Sequence, residues 1–210
     1  MNPKIKNALE WTYCILIAVV IALAVKYFIG TPTVVKQTSM NNTLSEGQRL
    51  WLNRWIRTVK GEYKVGDIIT FEAPSVTYPS LNQINYNKPV AIYYNNHKGL
   101  LNKFVYYVLE TTKQSYIKRV IGVAGDHIKI EDGKVYRNGE LLDEPYLQEG
   151  ISTYGKTYSD IIVPEGTVFA MGDNREHSTD CRDFGCIPVE KMESRVAFRF
   201  WPLNKFGKIK

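Results

Sequence analysis

Ser39 and Lys118 are the two residues whose types could make and break a covalent bond together. Ser39 stands in Gln37-Thr38-Ser39-Met40, shortly past an apolar N-terminal segment, and Lys118 stands in the strand-like run 116–122 (YIKRVIG). A serine hydroxyl is a poor nucleophile near neutral pH and needs a base beside it. A lysine amine can be that base when burial disfavours its charged form and lowers its pKa. A run of Tyr, Ile and Val supplies such burial. The histidines offer a competing base: His97 falls in an irregular region, His127 begins a hairpin strand, and His177 lies in a loop of Asp and Arg. Spacing leaves a Ser-His-Asp site open, but nothing favours it over Lys118. The chain has no Cys-x-x-Cys and no His-Glu-x-x-His, so neither a metal nor another cofactor is expected.

These residues need elements to hold them. The 210 residues are 44% hydrophobic and 23% charged, which fits one globular domain with attachments and a core that needs no disulfides. The net charge of +6 would suit an anionic membrane or a nucleic acid. The basic residues are scattered, however, with no dense basic helix and no nucleic-acid motif, so nucleic acid is not an expected partner. Of the three cysteines, Cys14 lies in the apolar segment. That leaves Cys181 and Cys186 as the one pair able to bond, if the residues between them turn back.

Residues 1–10 form a short polar tail carrying Lys4 and Lys6, and an apolar run follows over 11–29, interrupted by Lys26. At 1.5 Å per residue it reaches roughly 28 Å, enough to span a hydrocarbon core. Trp11, Tyr27 and Phe28 suit the two interfaces, and Lys26 can snorkel to the far headgroups. Ala22-Leu23-Ala24 looks like a cleavage site of a removable leader. The apolar run continues past it to Ile29, so an uncleaved anchor with residues 31–210 outside the cytoplasm is the expectation. Loop charge does not set the orientation, because Lys26 and Lys36 offset Lys4 and Lys6.

From residue 30 the chain reads as β. Short strands are predicted at 33–35, 68–71, 127–130, 135–137, 141–142, 161–163 and 167–171, with longer ones at 49–56, 116–122 and 195–201. Alternation over 49–56 places Trp51, Asn53 and Trp55 on one face, a candidate membrane-facing surface. Asp132-Gly133 and Asn138-Gly139 are hairpin signals. Residues 74–115, rich in Tyr and Asn, lack clean periodicity and read as an irregular insertion, with a short helix near 100–109. The fold class is mainly β, an antiparallel β-sheet catalytic domain behind one N-terminal transmembrane helix.

Four stretches occur in order: 39–44 (SMNNTL), 66–71 (GDIITF), 116–126 (YIKRVIGVAGD) and 172–185 (GDNREHSTDCRDFG). Together they resemble the successive boxes of type I signal peptidases, the membrane-bound serine proteases that remove signal peptides from exported proteins. The resemblance covers most of residues 10–202, apart from about 74–115. It implies that Ser39 is the nucleophile, Lys118 the general base, and Ser178 the hydroxyl that hydrogen-bonds and orients the lysine amine. Asp173, Asn174, Arg175, Asp180 and Arg182 would be structural, and their spacing alone also allows Asp–Arg pairs that brace a loop. The oxyanion would be held partly by the Ser39 N–H. Gln37 stands where some members carry a second hydroxyl donor, and Gln37 with Met40 would border the substrate pocket. Asn42 replaces a usual proline, which should loosen a turn; Ala124 and Cys181 are further departures that spare the pair.

The reading that follows is a single-pass cell-membrane endopeptidase, most like the Gram-positive members of the family. It would cut exported preproteins after small residues of the Ala-x-Ala kind, beside membrane lipid and without cofactors. Residues 74–115 would be an elaborated loop, or a lid for restricted clients such as surface-fibre subunits. A catalytically inactive, peptidase-like chaperone for such subunits is the main alternative, and the presence of both Ser39 and Lys118 argues against it. A self-cleaving repressor shares the Ser-Lys logic but needs a DNA-binding N-terminal domain where this chain has an apolar span.

Overall fold

The apolar N-terminal stretch forms helix α1 (Pro3–Ala24), prolonged by wider turns over Val25–Ile29, in a computed structural model that describes residues 3–94, 99–111 and 113–209. The helix starts before its apolar residues do, since proline suits a first helical position and nothing after it breaks the run. α1 buries none of its residues, and with its extension is long and apolar enough to cross a membrane.

The remaining chain is built on antiparallel strands. These are β1 (Gly30–Val34), β2 (Arg49–Asn53), β3 (Ile68–Glu72), β4 (Ser115–Val123), β5 (His127–Glu131), β6 (Lys134–Arg137), β7 (Glu140–Leu141), β8 (Asp160–Ile162), β9 (Thr167–Met171), β10 (Ile187–Pro188) and β11 (Met192–Trp201). Seven make a sheet in the order β1-β2-β11-β3-β4-β9-β10, and four make a second in the order β7-β6-β5-β8. The mainly β expectation holds. β3 and β9 are buried along their whole length, as a central strand covered on both faces must be. Asp132-Gly133 and Asn138-Gly139 turn β5 into β6 and β6 into β7, and all four residues have positive φ.

Two apolar clusters hold the domain. The larger joins the sheets, with Val120, Ile121 and Phe169 from one against Ile128, Val135 and Ile161 from the other. The smaller gathers Val35, Met40, Leu44, Leu50, Leu52 and Ile68 beneath the turn that carries Ser39.

Trp55 departs from expectation. The strand stops at Asn53, whose side-chain oxygen accepts the Trp55 N–H at 2.9 Å. The chain then makes a single helical turn, α2 (Trp55–Thr58), so Trp51 and Trp55 share no strand face. The asparagine competes with the ladder for a backbone donor, which alternation alone does not register. Within 74–115 the expected helix is present as α3 (Leu100–Phe104), extended by wider turns over Val105–Leu109. The first part of this insertion is tied to the domain by a Val90–Cys186 bridge and by Ala91 N–H to Cys186 O at 2.8 Å. His97 lies outside the described residues.

Cys181 and Cys186 are both buried and free. The turn of helix α4 (Cys181–Phe184) separates them, and the Cys181 sulfur accepts the Ala170 N–H at 3.2 Å. Burial pushes the Cys181 thiol well up and the Cys186 thiol to about 12, which suppresses the thiolate that bond formation needs. Titrating the unreduced chain after unfolding should therefore find every cysteine free. A titre that leaves only Cys14 reactive would mark a 181–186 bond.

Candidate active site

Ser39 and Lys118 come together from distant parts of the chain. β4 is paired on both sides, with Lys118 opposite Ile69 of β3 and Arg119 opposite Met171 of β9. That places Lys118 in the sheet interior at 1% exposure. Ser39 follows β1 in a tight turn. Met40 O accepts the Thr43 and Leu44 N–H groups, and Thr38 O accepts that of Asn41. The Lys118 amine and the Ser39 hydroxyl are 2.6 Å apart and both buried. Desolvation pushes the Lys118 pKa down from 10.5 to about 8, against the pull of the Asp180 carboxylate, while Arg182 adds to the lowering. A buried amine of this kind is neutral often enough near neutral pH to take a proton from the hydroxyl it touches.

The segment after β9 grips this pair. Asn174 donates its backbone N–H to Ser39 O at 3.0 Å and its side-chain amide to Thr38 O at 3.1 Å. Gly172 passes so close that an added methyl group would sit 2.2 Å from Ser178 Oγ and 2.4 Å from Ser39 O. Asp180 caps α4 and accepts from both Arg182 Nε and Arg182 Nη2 at 2.9 Å. Burial works against the Asp180 carboxylate, yet the Arg182 guanidinium outweighs it and holds the pKa below the ordinary value. Arg175 binds Glu144, Thr153 and the Gly172 carbonyl. Asp173 receives Arg119 through its Nε at 3.0 Å and its Nη2 at 2.8 Å.

Two expected positions need correction. Among the described residues no hydrogen bond joins Ser178 Oγ to Lys118; the buried hydroxyl instead helps hold the Asp180 carboxylate below its ordinary pKa. The hydroxyl packs against Gly172, and the lysine's short contact goes to Ser39. Met40 is not among the residues that wall the cavity at Ser39; it is fully buried in the cluster below the turn. Asn42 also does more than loosen a turn. Its φ is +90°, a value closed to proline and tolerated by asparagine, so this turn follows a different path from a proline-bearing one.

Gln37 does line the site. A cavity of about 290 Å³ opens on Ser39 and Lys118, walled by Lys36, Gln37, Thr38, Tyr116, His177 and Thr179. Lys36, Gln37 and Tyr116 also wall a groove of about 710 Å³ that runs beside residues 31–35 toward Leu109 and Glu110. Among the described residues β1 is an edge strand, paired with β2 alone, so its other edge is open to an extended chain. His177 stands exposed at the cavity rim, and no hydrogen bond joins it to Ser39 among the described residues. His127 pairs instead with Asp160 at 2.6 Å on the second sheet.

Sequence reasoning passed over Thr43, Arg119, Glu144 and Lys156. Arg119 had a legible signal, an arginine inside an apolar strand, which requires a carboxylate partner. Lys156, which donates to Ser178 O and Asp183 at 2.8 Å, and Glu144 carry no local pattern.

The profile of the family described as signal peptidase, peptidase S26, matches residues 8–201. Signal peptidase I of Bacillus licheniformis is 34% identical over 213 positions, covering 97% of this chain and 94% of its own length. Signal peptidase I T of Bacillus subtilis is 31% identical, covering 100% and 93%, and signal peptidase IB of Staphylococcus aureus is 31% identical, covering 96% and 93%. A crystal structure of a signal peptidase I from Enterococcus faecalis overlays with a TM-score of 0.41 at 23% identity, over 64% of this chain and 96% of that one. With the family profile spanning nearly the whole chain and relatives above 30% identity aligned end to end, this chain belongs to the signal peptidase family and is a serine peptidase.

Proposed function

We propose that Ser39 and Lys118 are the dyad with which this signal peptidase removes signal peptides from exported preproteins. The observation that carries the proposal is the buried 2.6 Å contact between amine and hydroxyl. In the reactive state the neutral amine accepts the hydroxyl proton as Ser39 Oγ attacks the scissile carbonyl carbon. The resulting ammonium returns that proton to the leaving amine, so the C–N bond breaks and an ester to Ser39 remains. A water then gives its proton to the same amine as its oxygen attacks the ester carbon, and that proton passes to Ser39 Oγ as the ester C–O bond breaks. The Ser39 N–H has no acceptor among the described residues, which leaves it able to donate to the oxyanion. Gln37, on the cavity wall, would supply a second donor through its amide.

The substrate would lie extended along the open edge of β1, its cut site over Ser39. The small cavity there favours short side chains at the cut, as in Ala-x-Ala. Asp173, Asn174, Arg175, Asp180 and Arg182 would hold the nucleophile turn against β4 and take no proton themselves. Ser178 would meet the lysine only as its amine moves between Ser39 and substrate. α1 would be an uncleaved anchor in the cell membrane, with the β domain outside the cytoplasm, which its length and wholly unburied surface support.

The test is to incubate the purified full chain in detergent with one tagged preprotein and map the cut by mass spectrometry. Cleavage should follow small residues, and kcat/KM should rise about tenfold per pH unit below the Lys118 pKa of about 8 and level off above it. A profile flat through pH 8 would remove Lys118 from the base role.

A further inference from the structure

α1 does not end free of the domain. The Lys26 amine donates to Val108 O at 3.3 Å and Leu109 O at 3.1 Å, and lies 3.5 Å from the Glu110 carboxylate. Arg54 meets the same carboxylate at 2.9 Å. Beside it, Arg57 donates to Tyr27 O at 2.7 Å and Thr58 to Phe28 O at 3.2 Å. The Lys26 amine, though set in an apolar run, is thus met by two backbone carbonyls and a carboxylate. It ties the end of the apolar helix to the end of the insertion helix, residues 100–109.

That insertion helix has two unlike halves, exposed over 100–104 and half-buried over 105–108. Tyr106 and Tyr107 face Lys113, 5.7 Å from each ring, and Lys113 is itself paired with Glu193 at 2.6 Å. Its first turn shows Leu100, Leu101 and Phe104, which are 89%, 74% and 44% exposed, with Asn102 and Lys103 exposed between them. The helix is apolar but, at about 15 Å, far too short to cross a bilayer. Trp55 on α2, which is pinned to the same end of α1, and Val59 just past it are exposed as well. Apolar side chains gathered in this way mark a contact surface.

We propose that residues 100–109 form an interfacial helix that lies in the lipid headgroup layer, with Leu100, Leu101 and Phe104 against acyl chains. The occupant is a lipid surface because the helix is hydrogen-bonded to α1 at residue 26, three residues before the apolar run ends at Ile29. It therefore sits at the depth where the anchor leaves hydrocarbon, as an interfacial helix requires. The proposal rests on the anchor reading given above. Its consequence is orientation. One helix through the membrane lets a domain swivel and tilt, whereas a second contact beside it fixes the domain. The groove to Ser39 begins at Leu109, Glu110 and Thr111, so its mouth would open at the membrane surface, where a signal peptide's cut site emerges.

The test uses the full chain carrying Cys14→Ser, with single spin labels introduced through Leu101→Cys, Val19→Cys or Leu141→Cys. Each is reconstituted into phosphatidylglycerol–phosphatidylcholine vesicles. Cys181 and Cys186 are buried and stay unlabelled. Collision rates with oxygen and with an aqueous nickel complex report depth. The expected result is a Leu101 label shielded from nickel and open to oxygen, shallower than the Val19 label, with the Leu141 label in water. Leu100→Cys repeats the measurement should Leu101→Cys fold poorly, and preprotein cleavage checks each fold. A nickel-accessible Leu101 label above a buried Val19 label would overturn the interfacial helix and leave the anchor standing. A Val19 label in water would overturn the anchor, and the helix proposal with it. Label–label broadening at position 101 would assign the surface to a second copy. Shielding that appears only with added preprotein would assign it to substrate. Either outcome also overturns the lipid contact.

Discussion

Ser39→Ala and Lys118→Met each lower preprotein cleavage on the order of 10⁴-fold or more, and the double variant is no worse than either alone. In the proposed mechanism nucleophile and base act on one proton: without the amine the hydroxyl would stay protonated, and without the hydroxyl the amine would have nothing to activate. Lys118→Arg fares no better, because a guanidinium keeps its proton at any working pH. Methionine is the informative replacement, since it fills the lysine's apolar surroundings without charge. Lys118 releases its proton at about 8 in the fold and near the ordinary 10.5 in the unfolded chain. Between those values the unfolded chain holds more protons, so wild-type stability rises with pH. Below about 8 the full burden of burying the charge is present, on the order of 3 kcal/mol. Lys118→Met lacks that burden. It should be the more stable protein at pH 6, with the advantage fading as pH approaches 10.5. Guanidinium midpoints across pH measure this, and an inactive variant that is also more stable cannot owe its inactivity to unfolding. A double variant markedly worse than both singles, or near-wild-type cleavage by folded Lys118→Met, would sink the dyad.

Much of this arrangement was legible because it depends on local chemistry. The two hairpins follow from Asp-Gly and Asn-Gly, which reach positive φ where other residues do not. The apolar run over 116–122 announced both a buried strand and a lysine with a lowered pKa. The limits of reading are just as physical. Alternation carried the second strand through to Ile56, but one Asn53 side chain diverts the Trp55 N–H and ends it early. Ser178 and Lys118 sit in motifs that imply a bond, yet whether two hydroxyls and one amine pair in a given way depends on rotamers that no spacing encodes. Glu144 reaches Arg175 from the loop between β7 and β8, a long-range partnership without a local pattern. The role of residues 100–109 was invisible for a different reason. An apolar decapeptide reads the same whether it packs in a core or on lipid, and only the Lys26 contacts say which element it stands beside.

Asp180→Asn and Arg182→Gln should each destabilise the domain by about 3–5 kcal/mol, and should move the pH profile of cleavage in opposite directions. Both side chains are buried, at 0% and 1% exposure, and removing one leaves the other's charge without its partner. Arg182→Gln also releases the Arg175 carbonyl, held at 2.8 Å, and the Tyr154 carbonyl, held at 3.2 Å, so its loss should be the larger. Asn at 180 can still cap α4, which keeps that variant folded enough to measure. The profile is the sharper readout. The Asp180 carboxylate holds the Lys118 ammonium in place, whereas the Arg182 guanidinium repels it. Removing the carboxylate should lower the Lys118 pKa and shift the rise in kcat/KM to lower pH. Removing the guanidinium should raise that pKa and shift the rise to higher pH. Urea midpoints of the full chain in detergent give the stability arm, and kcat/KM across pH gives the other. Two variants that lose stability but keep the wild-type profile would make the pair a brace alone, with no electrical hold on the catalytic lysine.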